Sequence, residues 1–234
     1  DNAAQDIDHE IFDIESESDK EVFPTAEAGM TALLFAVESG NEAIFKMLLE
    51  ANANVNAQSH TGKTSLYLAA SKQEDMCEPL LNAGACVEAK TKNNGETALF
   101  ASATSGFSRA CEVLLNHGAK TEVAESVHGS TPLIAAARHG HDVICLLLLK
   151  AKADTEATNK VGKTALIISA EKGYAEVCQI LLQGGASKHA KVPENGNTAL
   201  ISAAENEKSR VCQMLLEAKA SVNEKNNVGK TALI

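Results

Sequence analysis

The sequence predicts an all-α repeat solenoid, and three observations carry that prediction. A Gly-x-Thr-x-Leu start recurs at Gly29, Gly62, Gly95, Gly129, Gly162, Gly196 and Gly229, always 33 or 34 residues after the previous one. Between successive starts the same residue types return in the same order: small residues, a leucine pair, an alanine, a polar turn. The composition is 44% apolar but only 3% aromatic, with no Trp. Such a core is built from Ala, Leu, Ile and Val in thin layers, as stacked helix pairs allow and a single large core does not. A fixed period of this length is the mark of a repeat array.

Each unit reads as two short helices and a turn. Thr31, Thr64, Thr97, Thr131, Thr164, Thr198 and Thr231 stand two residues after the glycine, where a hydroxyl can accept a bond from an unpaired amide of the first helical turn. Pro132 follows one of them at the helical position where a missing N–H costs nothing. Small residues such as Ala36, Ala69, Ser102, Ala136, Ser169 and Ala203 then let neighbouring helices approach. The second helix ends in a leucine pair, from Leu48-Leu49 to Leu215-Leu216, and needs a left-handed residue to stop. Gly84, Gly118 and Gly185 suit that place. Asn52, Lys152 and Lys219 occupy it elsewhere, and a Lys there should cost about 1 kcal/mol relative to Gly.

Unit two departs from the pattern. It lacks one residue between its helices, Asp75 and Glu78 have capping-box spacing, and Pro79 falls where it should remove a helical bond. This unit is expected to be the weakest joint.

Charge is unevenly placed. The net charge is −10, yet residues 1–28 hold ten acids against Lys20 alone. The chain therefore divides into an acidic N-terminal tail, 1–28, either disordered or capping the first repeat through Ile11, Phe12 and Ile14, and a near-neutral repeat domain, 29–234. Neither part has the basic surface that a phosphate backbone requires, so nucleic acid is not an expected partner. No apolar run reaches the length of a membrane span. Without an apolar leader or an Asn-x-Ser/Thr site, the expected setting is intracellular, cytoplasmic or nuclear.

Candidate chemistry is sparse. Cys77, Cys111, Cys145, Cys178 and Cys212 recur at one helical position, but helix axes ~8–10 Å apart cannot bring them within disulfide reach, and none has zinc-site spacing. They read as core thiols, and the turn residue Cys86 as the reactive one. Gly-Lys-Thr at Gly62, Gly162 and Gly229 lacks the glycine five residues earlier that a phosphate loop needs. The histidines are scattered, and no nucleophile elbow is present. No catalytic group, metal or cofactor is expected.

In period, cap, leucine pair and turn, the chain from Gly29 onward resembles the ankyrin repeat family, with six full units and the start of a seventh. The resemblance implies helix–turn–helix units joined by β-hairpin turns, stacked with a concave face that binds protein. One departure is systematic. Leu34, Tyr67, Phe100, Ile134, Ile167 and Ile201 stand where the family motif has His, which predicts an apolar layer in place of polar ties. The stop at Leu233-Ile234, one turn into the seventh unit, suggests a longer array.

Carrying over the family's contact positions selects His60, Lys63 and Lys72 in unit two and Asn94 and Glu96 in unit three. Unit four gives His128, Ser130, Arg138 and His139, unit five Lys160, Lys163, Glu171 and Lys172, and unit six Asn197 and Glu205. The basic members Arg138, Lys163 and Lys172 suggest an acidic or polar partner segment. The tail 1–25 is a candidate intramolecular occupant of the same groove. The expected function is a non-catalytic scaffold, adaptor or targeting module. The alternative is the regulatory or recognition segment of a larger enzyme or channel.

Overall fold

The computed structural model describes residues 28–233. Twelve α-helices among them pair into six units: α1 (Ala32–Ser39) with α2 (Glu42–Glu50), α3 (Ser65–Lys72) with α4 (Cys77–Asn82), and α5 (Ala98–Ser105) with α6 (Ser108–Asn116). Then come α7 (Pro132–His139) with α8 (Asp142–Lys150), α9 (Ala165–Lys172) with α10 (Ala175–Gln183), and α11 (Ala199–Glu205) with α12 (Ser209–Glu217). First helices pack on first helices and second on second, giving two helical layers with the turns along one edge.

The expected caps form. Every first helix starts on its threonine, whose Oγ1 accepts the amide three residues on at 3.2–3.4 Å, from Leu34 in α1 to Ile201 in α11. The second helices stop on left-handed residues whether or not these are glycine. Gly84, Gly118 and Gly185 have φ of 87°, 81° and 93°, while Asn52, Lys152 and Lys219 take 60°, 66° and 61°. Glu207 adopts φ 58° in the place where four other units have glycine after the first helix.

The apolar layer that replaces the histidines is present. Leu34, Ile134, Ile167 and Ile201 are at most 2% exposed and Phe100 8%. Tyr67 is half-buried, and its hydroxyl donates to Glu96 Oε2 at 2.5 Å. The thiol ladder lies beneath. All six cysteines are free; Cys77, Cys111, Cys145 and Cys178 are fully buried, Cys212 in unit six is only half-buried, and Cys86 is exposed. Burial raises the thiols of Cys77, Cys111 and Cys145 to about 12 and that of Cys178 to about 11. They behave as small hydrophobes.

Three expectations are corrected. No capping box forms in unit two, because Glu74–Met76 winds into a 3₁₀ turn that leads straight into a short α4 with no side-chain cap. Asp75 pairs instead with Arg109 of unit three at 3.0 Å. Pro79 is the third residue of α4, within the first turn, where amides have no intrahelical partner in any case. The β-hairpins are also not formed as strands among the described residues. Each turn closes on two backbone bonds around one residue, as Asn159 N to Lys163 O at 3.1 Å and Gly162 N to Asn159 O at 2.8 Å, too little pairing for a ladder.

Successive turns are joined instead by single backbone rungs. His60 N donates to Ala28 O, Lys92 N to Thr61 O, Ser126 N to Asn94 O, Lys160 N to His128 O and Asn227 N to Asn195 O, at 2.7–3.0 Å. Among the described turns the rung is missing between units five and six, where Pro193 occupies the donor position and has no N–H to give.

Candidate functional site

In five of the six described turns, all but that of unit six with its Val192, one side chain just ahead of the unit's glycine satisfies the backbone that doubles back around it. Ser59, Thr91, Asn159 and Asn226 do this with a neutral oxygen, accepting the amides of Lys63, Glu96, Lys163 and Lys230 at 2.9–3.1 Å. In unit four the same place holds Glu125, only 4% exposed. Its carboxylate accepts the amides of Val127 (2.6 Å), His128 (2.8 Å) and Ser130 (3.0 Å). Burial pushes this carboxyl upward, but the amides of Ser130, His128 and Val127 together outweigh burial and hold it below the ordinary range. A buried carboxylate therefore stays ionised and pins the unit-four turn.

That turn forms one wall of a pocket of about 280 Å³ between units three and four. Six sequence-selected residues converge on it: Asn94, Glu96, His128, Ser130, Arg138 and His139. Phe100, Thr104, Glu125, Val127 and Ala135 complete the lining. Glu96 is held on one side by the Tyr67 hydroxyl and on the other by Asn94 Nδ2 at 3.2 Å. Arg138, near the end of α7, donates to Ser130 Oγ at 3.3 Å. His139 stacks on His141 with ring centroids 6.0 Å apart. Desolvation lowers its pKa, and the nearby charges of His141, Arg138 and Lys172 lower it further.

The other selected residues take varied roles. His60 and Lys172 are exposed, and Lys63 is half-buried on its turn. Lys72 pairs with Glu38 of unit one. Exposed Lys160 reaches back to the Ser126 carbonyl. Lys163 is neutralised by Glu171 at 2.6 Å within its own unit. Ser130 and Asn197 are 3% and 5% exposed and act on neighbours: Asn197 donates to Glu205 at 2.6 Å and accepts from Asn226 at 2.9 Å. The sequence reading missed Glu125. Its signal was the column of oxygen-bearing side chains, Ser59, Thr91, Asn159 and Asn226, that it shares.

Among the described residues no group of His, Cys, Asp or Glu is placed to hold a metal ion, and no helix is long and apolar enough to cross a membrane. The sequence model of ankyrin repeats matches residues 3–91, 86–159 and 148–226. A solved structure of similar shape is the ankyrin repeat domain of Bcl-3, described as a unique member of the IkappaB protein family. Its TM-score is 0.76 at 26% identity, covering 88% of this chain and 94% of that one. No curated protein gives a significant match. The chain belongs to the ankyrin repeat family, whose members are generally non-catalytic protein-interaction modules.

Proposed function

We propose that this ankyrin-repeat chain is a protein-interaction module whose concave face and turn tips receive an extended acidic or polar segment of a partner, centred on unit four. The observation that supports this most is the local charge balance. Lys72 and Lys163 are each answered by a carboxylate, Glu38 and Glu171. Arg138 and Lys172 have no carboxylate partner among the described residues and flank His139. The centre is therefore narrower than the trio Arg138, Lys163 and Lys172, with Lys163 at its margin. Phe100 and Val127 in the adjoining pocket offer apolar contact for an anchoring side chain. The six unpaired cysteines favour an intracellular setting.

Selection from a displayed library of random extended peptides tests this reading. Acidic sequences should be enriched, and the double variant Arg138→Glu/Lys172→Glu should lose the selected peptides by at least ~10-fold, about 1.4 kcal/mol. Adding Lys163→Glu should change little more. Enrichment without charge bias, or enrichment that survives the double variant, overturns the proposal.

A further inference from the structure

The two end units show which face of a unit meets which neighbour. Six residues after the unit's glycine stand Leu68, Ala101, Ala135, Ile168 and Ser202, all at most 5% exposed, but Phe35 of unit one is 36% exposed. The column of Met76, Ala110, Ile144, Val177 and Val211 is at most 4% exposed, but Ile44 of unit one is 43% exposed. Both columns stay closed in unit six, which among the described residues is followed by a turn alone, so they face the preceding unit. Two other columns behave in the opposite way. Val37 and Phe45 of unit one are 0% and 2% exposed, while their counterparts Ala204 and Cys212 in unit six are only half-buried. Those columns face the following unit.

Unit one thus presents an uncovered stacking face of the kind that every later unit buries. Counting back one 33-residue period from unit one puts Ala3-Ala4 in the register of Ala36-Val37, which in other units reads Ala69-Ala70 and Ala136-Ala137. The same count puts Ile11-Phe12 on Ile44-Phe45 with no insertion or deletion between. Ala4 and Phe12 fall in the two columns that face the following unit. Acids fall where units are exposed: Asp13 shares the column of Lys46, and Glu10 that of Ala43. Glu15 shares the register of Leu48, a column half-buried in unit one but fully buried at Leu215 in unit six and so facing the preceding unit; a charge in that register suits the outer face of a terminal repeat. The family match independently begins at residue 3.

We infer that the acidic N-terminal segment is the closing part of a further, terminal ankyrin unit, and that its Ala4 and Phe12 cover Phe35 and Ile44. This goes beyond the groove reading and removes the segment from competition for it. Thiol labelling of the full chain tests the register, with exposed Cys86 as internal reference. Cysteine in Phe12→Cys should label at least ~10-fold slower than Cys86, and cysteine in Asp13→Cys at a rate close to that of Cys86. Phe12→Asp should speed amide exchange in α1 and α2, and Asp13→Asn should leave it unchanged. Equal labelling at positions 12 and 13 overturns the inference. So does slow labelling at 12 that disappears in Arg138→Glu/Lys172→Glu, which would put the segment in the groove. A dimer abolished by Ile44→Asp but not by Phe12→Asp would give the face to a second copy and likewise overturn it.

Discussion

The joint between units three and four and the joint between units five and six follow one plan and differ at two residues. In the first, Ser126 N bonds Asn94 O at 2.7 Å on the turn edge, and Asp154 N bonds Glu122 Oε1 at 3.0 Å behind the second helices. In the second, Pro193 removes the backbone donor, and His189 stands where Glu122 would be. His189 turns instead to Glu224 at 2.5 Å, helped by Lys191 at 3.7 Å from the same carboxylate. Apolar stacking is undiminished, since Leu181 and Leu215 are both fully buried. Stacking and directional bonding are therefore separable in this solenoid. Burial keeps all units in register, while the directional bonds differ in kind: the middle joint keeps a backbone rung, and the end joint relies on side chains, as Arg210 to Glu176 at 2.6 Å and Lys188 Nζ to Ala218 O at 2.7 Å. The candidate site lies beside the joint that keeps its backbone rung.

The largest effect should come from breaking the middle. Glu125→Ala leaves the amides of Val127, His128 and Ser130 without their acceptor, and urea unfolding should show a loss of about 3 kcal/mol. Glu125→Gln should lose less and flatten the acid limb. Because the folded carboxyl is held low, its contribution is complete above the unfolded value of about 4.3 and disappears as pH falls through the lower folded value. The gap between the wild type and Glu125→Gln should therefore stay open above the unfolded value and close as pH falls below it through the lower folded value.

Mending the end should give smaller changes of opposite sign. His189→Asn offers an acceptor of the kind Asn56 provides to Cys86 N at 2.7 Å between units one and two, and should stabilise by about 1 kcal/mol. Lys219→Gly relieves a left-handed lysine beyond α12 and should add about 0.5–1 kcal/mol. Pro193→Ala should leave global stability nearly unchanged, since the regained bond is offset by about 0.4–1 kcal/mol of unfolded-chain entropy. It should nonetheless slow amide exchange in unit six. Equal exchange protection in units four and six of the wild type would break the comparison itself.

Much of the architecture was legible because each signal was local. The threonine caps, the left-handed Lys152 and Lys219, and the buried cysteine ladder all follow from a residue's place within its own unit. What was not legible depends on which atoms a turn brings together. Nothing local tells that Lys163 lies against Glu171, eight residues on, so its charge looked available. Asp75 and Glu78 have the spacing of a capping box, but the missing residue tightens that turn into 3₁₀ geometry and sends Asp75 to Arg109. Pro193 lies in a polar turn, where nothing local marks it as important. Its consequence appears only once the rung from each turn to the next is seen. Glu125 was passed over because a lone acid in a polar turn is common, and its burial comes from the chain closing around it.

The central claim is that the inner face around unit four is where a partner binds. Amide shift mapping with an acidic peptide selected on this chain tests it most directly. The account predicts perturbations clustered at Asn94, Thr104, Val127, Arg138, His139 and Lys172, with α8 and α10 silent. Perturbations centred on the second helices, or spread evenly over all six units, would contradict it.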